Sequence, residues 1–260
     1  MPENELYNTN KSSYDKEFGI GYGHKYPDGH VIRFHHQILE YELKMTGGKI
    51  LDYGCSTGTY LSYFEQNGYE PFGCDIIPLA VEKAKKSIPK YANNIHCTPY
   101  LPKLRDYFNE DFDLIISNQV LYYFNDKDLK YMISQFYDML KPNGVFFATM
   151  MSPTCYYHDH IVSKVGEMSK VVVTGRLNGS QYINFKTEEQ IIDIFKPFKK
   201  LHLGSYGSKI REDEGSTDHF IFVGLKKWVR HITDLLKVKG SGTKRDEFIN
   251  VLLSFTIRTF

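Results

Sequence analysis

The stretch Lys49-Ile-Leu-Asp-Tyr-Gly-Cys-Ser-Thr-Gly-Thr-Tyr60 constrains the fold more than any other segment of the chain. Ile50 to Tyr53 is short, largely apolar and runs into a glycine-containing turn, the pattern of a buried strand that ends at a loop. A helix is expected directly after it. Thr57 can cap that helix, Tyr60, Leu61 and Phe64 give it an apolar stripe, and Gly68 stops it. Gly54 and Gly58 then fall in the strand-to-helix turn, where a missing Cβ lets a ligand lie against the backbone and helix-end amides can meet its polar groups. The spacing departs from the dinucleotide fingerprint Gly-x-Gly-x-x-Gly, because Cys55, Ser56 and Thr57 lie between the two glycines. The turn reads as a cradle for a nucleoside or a carboxylate, and by itself it also fits an α/β unit with structural glycines.

Asp75 separates the two readings. It ends a second short apolar run, Tyr69-Glu-Pro-Phe-Gly-Cys-Asp, and lies 21 residues after Gly54. Strand, turn, helix and second strand would return its carboxylate to the same edge of a parallel sheet, within reach of a ribose diol. The same acid could instead cap the helix Leu79 to Ser87. Further on, Ile95 to Thr98 and Asp113 to Ser117 read as buried strands, Asp126 to Leu140 as a helix and Val145 to Met150 as a fifth strand. Thr187 and Gln190 form a capping box for another helix, and strands are expected near Leu201 to Tyr206 and Asp218 to Gly224.

Asp-Tyr-Gly-Cys-Ser-Thr-Gly is similar to motif I of the class I S-adenosylmethionine (SAM) dependent methyltransferases, commonly Asp-x-Gly-x-Gly-x-Gly, with Ser56 where the family often has glycine. Phe112-Asp-Leu-Ile-Ile-Ser resembles their motif IV, Leu140-Lys-Pro-Asn-Gly their Leu-Lys-Pro-Gly-Gly turn, and the last two strands their closing hairpin. The resemblance spans residues 46–226 and implies a Rossmann-like, three-layer α/β sandwich, its mostly parallel seven-stranded sheet ending in an antiparallel strand. SAM is the implied cofactor. Asp52, Gly54, Cys55, Ser56, Gly58, Asp75 and Ile76 would hold it, with Asn118 and Gln119 beside the sulfonium. Tyr26-Pro-Asp-Gly-His-Val-Ile-Arg-Phe is similar to an N-terminal segment of bacterial members that brings an arginine near the SAM carboxylate, so Tyr26 and Arg33 join the implied set. Many members place an Asp-Ala pair after strand three to hold the adenine amino group. Thr98 and Pro99 stand here instead, which leaves that role to backbone groups.

Methyl transfer needs an acceptor held in line with the departing sulfur and no protein nucleophile. For a hydroxyl acceptor a general base would help, and His158, His219 and the neighbouring phenol of Tyr122 are the candidates. For an amine the site must bind the neutral form, which desolvation beside a sulfonium favours. Residues 151–186 have no clean period and read as a substrate-pocket insertion that offers His158, Asp159, His160, Arg176 and Tyr182. His-Asp-His is a weak ligand set without a third partner, so no metal is expected. The resemblance extends to methyltransferases of surface-glycan loci, which implies a sugar or amino-alcohol phosphate acceptor. The alternatives are protein or tRNA methylation and a non-catalytic SAM-binding module.

Composition narrows these choices. Lys plus Arg number 32 against 31 Asp plus Glu, so no basic field exists to hold nucleic acid, and an Asn-Pro-Pro-Tyr run is missing. The partner expected is a small molecule. The four cysteines show no Cys-x-x-Cys spacing and read as reduced core thiols, and no apolar run is long enough for a bilayer, so a cytoplasmic protein is expected. Residues 1–45 read as an arm and first helix, in which Tyr14, Phe18, Tyr22 and Tyr26 recur every four residues as a helix face or a lid. Residues 227–260 read as a helical extension that covers a sheet edge or forms a homodimer.

Overall fold

Gly48–Tyr53 forms strand β1, buried along its last four residues because it has a parallel neighbour on each side. Those neighbours are β2 (Tyr69–Asp75) and β4 (Phe112–Ser117). With β3 (Ile95–Cys97), β5 (Leu140–Met151), β9 (Lys199–Tyr206) and β10 (His219–Leu225) they make a seven-stranded sheet in the order β3-β2-β1-β4-β5-β10-β9. The five strands β1 to β5 are parallel, whereas β10 runs antiparallel to both β5 and β9. This computed structural model describes residues 3–19, 23, 25–173, 179–209, 211–212 and 215–227. The chain divides into two units, Met1–Lys227 and Trp228–Phe260, so the expected helical extension lies outside the described residues.

Helices cover both faces of the sheet. On one face Leu51, Phe72, Ile115, Phe146 and Phe222 pack against Met132, Ile133 and Phe136 of α5 (Asp126–Met139) and Ile191 and Ile194 of α6 (Glu188–Ile194). On the other, Ile50, Leu114, Ile116 and Phe147 meet Val31 and Phe34 and Phe64 of α3 (Thr59–Gln66), while α4 (Pro78–Ser87) closes over Cys55, Leu61 and Ile95. The alternation of one apolar residue up and one down along each strand thus supplies two cores and a three-layer sandwich. Strand order reverses between β1 and β4, the switch point at which a crevice opens beyond the carboxyl ends of the strands.

Local differences from the sequence reading have physical causes. Gly58, left-handed at φ 84°, caps α3 in place of Thr57. The helix expected from His30 is α-helical only over α2 (Gly29–Arg33) and continues as a π-helical run, Phe34–Glu42. Strand β5 starts at Leu140, because Asn143 at φ 62° is absorbed into the strand rather than breaking the chain before it. The insertion, without a legible period, is a three-stranded antiparallel sheet of β6 (Ile161–Val165), β7 (Met168–Val173) and β8 (Gly179–Ile183). Its edge strand β6 exposes its central residues, so no alternation marked it. The N-terminal arm is a helix, α1 (Glu3–Gly19), which packs on β8. Asn10 fastens the two: its Nδ2 donates to Tyr182 O at 3.1 Å and its Oδ1 accepts from Tyr182 N at 2.8 Å. Among the described residues no helix is long and apolar enough to cross a membrane.

Candidate active site

The turn after β1 is built by backbone bonds to the end of β2. Both Gly54 N–H and Cys55 N–H donate to Cys74 O, at 2.8 and 2.9 Å. Gly54 has φ 84°, and a Cβ there would run into the side chain of Val120. The next turn residue, Ser56, donates its N–H to Asp75 Oδ2 at 2.9 Å, while Asp75 Oδ1 accepts from Ile77 N at 2.9 Å. Asp75 therefore anchors the turn and holds the segment that leads into α4, whose N-cap is Ile77. Burial raises its carboxyl pKa, against the lowering effect of these backbone donors. Gly54, Ser56, Asp75, Ile76 and Ile77 line a single cavity of about 160 Å³.

The cavity continues past β4 to a cluster of polar side chains. Asn118 Nδ2 donates to Tyr60 Oη at 2.7 Å and to Asp28 Oδ2 at 3.3 Å, and Tyr60 O–H donates to the same Asp28 oxygen at 2.6 Å. With its amide nitrogen so committed, Asn118 turns Oδ1 toward Thr149 Oγ1 at 3.3 Å and His30 Nε2 at 2.8 Å. His30 Nε2 is accordingly the protonated nitrogen. Burial lowers the pKa of that ring, which keeps it neutral at pH 7. Gln119, held at φ 59°, donates its N–H to Thr149 Oγ1 at 2.7 Å and its amide to Tyr206 Oη at 3.0 Å. Asp28, Tyr60, Asn118 and Gln119 all line the cavity.

Tyrosines close the far end. Tyr7, Asn10 and Tyr14 of α1 face the cavity opposite Tyr53, Tyr100 and Tyr123. Tyr14 and Tyr123 hydroxyls meet at 2.5 Å, and Tyr123 O–H also points at Gln181 Oε1, 3.4 Å away on β8. Thr98 lines the wall after β3, with its N–H bonded to Asp75 O at 3.0 Å.

The structure thus gathers Gly54, Ser56, Asp75, Ile76, Asn118 and Gln119 and leaves the other expected site residues outside the lining. Gly58 serves helix packing: a Cβ would lie 3.0 Å from Ala84 Cα and 2.7 Å from Ser87 Oγ of α4. Cys55 is buried under α4, where burial pushes its thiol far above the ordinary range. Asp52 is also buried, its Oδ2 without a partner, and burial together with the Asp75 carboxylate raises its pKa strongly. Tyr26 is 72% exposed beside the Lys25 ammonium, and Arg33 faces solvent. The reason is helical phase: once Val31 and Phe34 of α2 turn to the core, Arg33 lies about 200° round from Val31. The same segment delivers Asp28 to the cavity instead.

The three candidate catalytic groups are displaced as well. The ring of His158 stands edge-on to Phe185, 5.1 Å away and outside the lining. His219 is buried behind Tyr206, stacked at 5.1 Å, with Nδ1 on Thr217 O at 2.8 Å and Nε2 unpartnered, and burial lowers its pKa to about 4. Tyr122 packs against His219 at 5.5 Å while its neighbour Tyr123 takes the cavity. Leu121–Tyr123 is a 3₁₀ turn, in which successive side chains point about 120° apart. Asp28, Tyr60, Tyr100, Tyr7 and Asn10 were not expected as site residues, whereas Tyr14 had been read as part of a helix face or a lid. Tyr7, Asn10 and Tyr14, spaced i, i+3, i+7, carried a legible signal for one helix face. Arg176 and Tyr22 lie outside the described residues.

With this geometry in place, comparisons with known proteins agree on one family. The family described as a methyltransferase domain matches residues 22–198. An uncharacterized protein of Haemophilus influenzae is 28% identical over 120 residues, 43% of this chain and 46% of that protein; the chain thus spans about half the length of the curated relative it matches. Among solved structures, N-methyltransferase NodS of Bradyrhizobium japonicum in complex with S-adenosyl-L-homocysteine has a TM-score of 0.57 at 16% identity, over 84% of this chain and 99% of that one. The 1,6-didemethyltoxoflavin-N1-methyltransferase of Burkholderia thailandensis, with bound 1,6-didemethyltoxoflavin and S-adenosylhomocysteine, gives 0.58 at 14% identity, over 88% and 92%. The family match runs from the segment before α2 to the end of α6, more than half of the sequence, and the chain belongs to the methyltransferase-domain family with the class I, Rossmann-like fold of SAM-dependent methyltransferases.

Proposed function

We propose that this protein transfers a methyl group from SAM to a hydroxyl or amine of a small polar metabolite. The observation that carries the reading is the convergence of the Asp75 carboxylate and the bare backbone of Gly54 on one cavity that extends past Asn118 to a tyrosine-lined space. The residues fit the cofactor. Asp75 would accept from the ribose diol, Ile76, Ile77 and Thr98 would flank the adenine, and the Gly54 backbone lines the cavity beside Val120. Asp28, carrying negative charge at the β4 side of the turn, suits the methionine ammonium. When bound, SAM supplies a methyl group on a sulfonium, an electrophile that needs no further activation.

What the chain itself contributes is position and exclusion of water. Asn118 and Gln119 give the cavity a polar wall, and α1 covers it through Tyr7 and Tyr14, the latter packed also on Ile77 and Ala80. Among the described residues no histidine, lysine or arginine lines the cavity. The phenolic and amide groups of the described lining suit an uncharged sugar-like or amine acceptor. An amine bound in its neutral form needs no general base. Aromatic faces and phenolic hydroxyls suit a flat or sugar-like ring.

The test is transfer of labelled methyl from SAM to panels of amines, amino sugars and phosphorylated amino-alcohols. Amines or amino sugars should be labelled faster than the phosphorylated set. Preferential labelling of phosphorylated acceptors would overturn the acceptor assignment, and no labelling of any class despite SAM binding would favour a non-catalytic binding module.

A further inference from the structure

The π-helical run Phe34–Glu42 carries a second cluster, none of whose members lines the cavity: His35, His36 and Glu40. In an α-helix His36 and Glu40 would be neighbours at i, i+4, but His35 and Glu40 would not. The i→i+5 register of a π-helix brings residues five apart onto one face. His36 Nδ1 accordingly bonds Glu40 Oε2 at 2.5 Å, and His35 Nε2 stands 3.7 Å from Glu40 Oε1. One ligand atom from each of the three side chains lies within 4.8 Å of the other two.

His35 makes this more than a surface ion pair. It is fully buried, and its ring is held edge-on by Tyr63, Phe64 and Tyr69 at 5.4, 5.4 and 5.7 Å. Its Nδ1 is hydrogen-bonded to Tyr63 Oη at 2.9 Å, while its Nε2 has no hydrogen-bond partner. With Nδ1–H donating to the phenol, Nε2 presents a lone pair toward Glu40, the arrangement in which an outer-shell oxygen fixes a ligating histidine. Two imidazoles and one carboxylate are a donor set for a borderline divalent cation with one position left for water, and are too nitrogen-rich for magnesium or calcium. Ligand atoms about 2.1 Å from one tetrahedral ion stand about 3.4 Å apart, so small side-chain adjustments would close the cluster on it.

We propose that His35 Nε2, His36 Nδ1 and Glu40 form a binding site for a divalent transition metal of the zinc type. An ion there pins the π-helical register of the run that follows α2, whose N-terminal end brings Asp28 to the cavity and His30 to Asn118. The site is independent of the cofactor reading.

The experiment is calorimetric titration of the full, metal-stripped chain with Zn²⁺, paired with Co²⁺ absorption. His36 and Glu40 reach solvent, so His36→Ala and Glu40→Gln should keep the fold, checked by circular dichroism and an unchanged affinity for S-adenosylhomocysteine. The wild type should bind one more equivalent of Zn²⁺ than either variant and gain Tm with the metal. Its Co²⁺ spectrum should show tetrahedral ligand-field bands without thiolate charge transfer. Tyr63→Phe should weaken that equivalent about tenfold. Equal stoichiometry and affinity in wild type and both variants, or no Zn²⁺ bound by the wild type, would overturn the proposal.

Discussion

The two halves of the cavity are made in different ways. On the nucleoside side, everything from Gly54 to Ile77 belongs to one β-α-β unit, and Asp75 reaches Ser56 across only 19 residues. On the acceptor side, Asn10 meets Tyr182 across 172 residues and Tyr14 meets Tyr123 across 109. The first half is held by main-chain bonds within a buried parallel sheet, and the second by side chains that join α1 to an inserted sheet, while Tyr14 of α1 also packs on Ile77 and Ala80 of the first half. A rigid half for an invariant ligand and a more easily opened half for the acceptor follow from that construction.

The sharpest break in this contrast is Gly54→Val. A left-handed φ disfavours a β-branched residue, and the new side chain collides with Val120, so binding of S-adenosylhomocysteine should fall by more than about a hundredfold. Acid titration of stability comes next. Burial lowers the pKa of His219 from 6.5 to about 4, so the unfolded state binds the extra proton between those values. Stability is then complete above about pH 6.5 and falls as pH drops toward 4, by up to about 3 kcal/mol, and His219→Gln should flatten that slope in urea melts. Asn10→Ala removes both side-chain hydrogen bonds to the Tyr182 main chain, at a cost of about 1–3 kcal/mol. It should speed proteolysis within α1 and raise the acceptor KM while the affinity for S-adenosylhomocysteine stays constant. The smallest effect is expected of Tyr123→Phe, which removes the hydroxyl shared with Tyr14 and Gln181. The acceptor kcat/KM should drop about three- to tenfold, again without a change in cofactor affinity. If Asn10→Ala and Tyr123→Phe weakened both ligands equally, the division into halves would be wrong.

The same contrast explains what could be read from the sequence. The β1 turn, α3 and β2 were legible because strand, turn, helix and acid follow one another at fixed spacing, and a parallel sheet converts that spacing into position. Asp28 was not, since its partners Tyr60 and Asn118 lie 32 and 90 residues away and nothing local marks it. Arg33 looked the better candidate by resemblance, but the phase set by Val31 and Phe34 turned it outward. Tyr122 and Tyr123 carried the same chemistry, and the 3₁₀ turn decided between them. The inserted sheet stayed hidden because β6 has no buried face to impress a period of two.

The most direct test of the central claim is calorimetric titration of S-adenosylhomocysteine into the wild type and Asp75→Asn, a variant that keeps the side chain's size but gives up one of the bonds to Ser56 N and Ile77 N, its fold being checked by circular dichroism. If the Asp75 carboxylate receives the ribose diol, the wild type binds with a one-to-one stoichiometry and the variant about ten- to a hundredfold more weakly, the loss of about 1.4–2.7 kcal/mol. Equal affinities in the two proteins would place the nucleoside elsewhere and contradict the account.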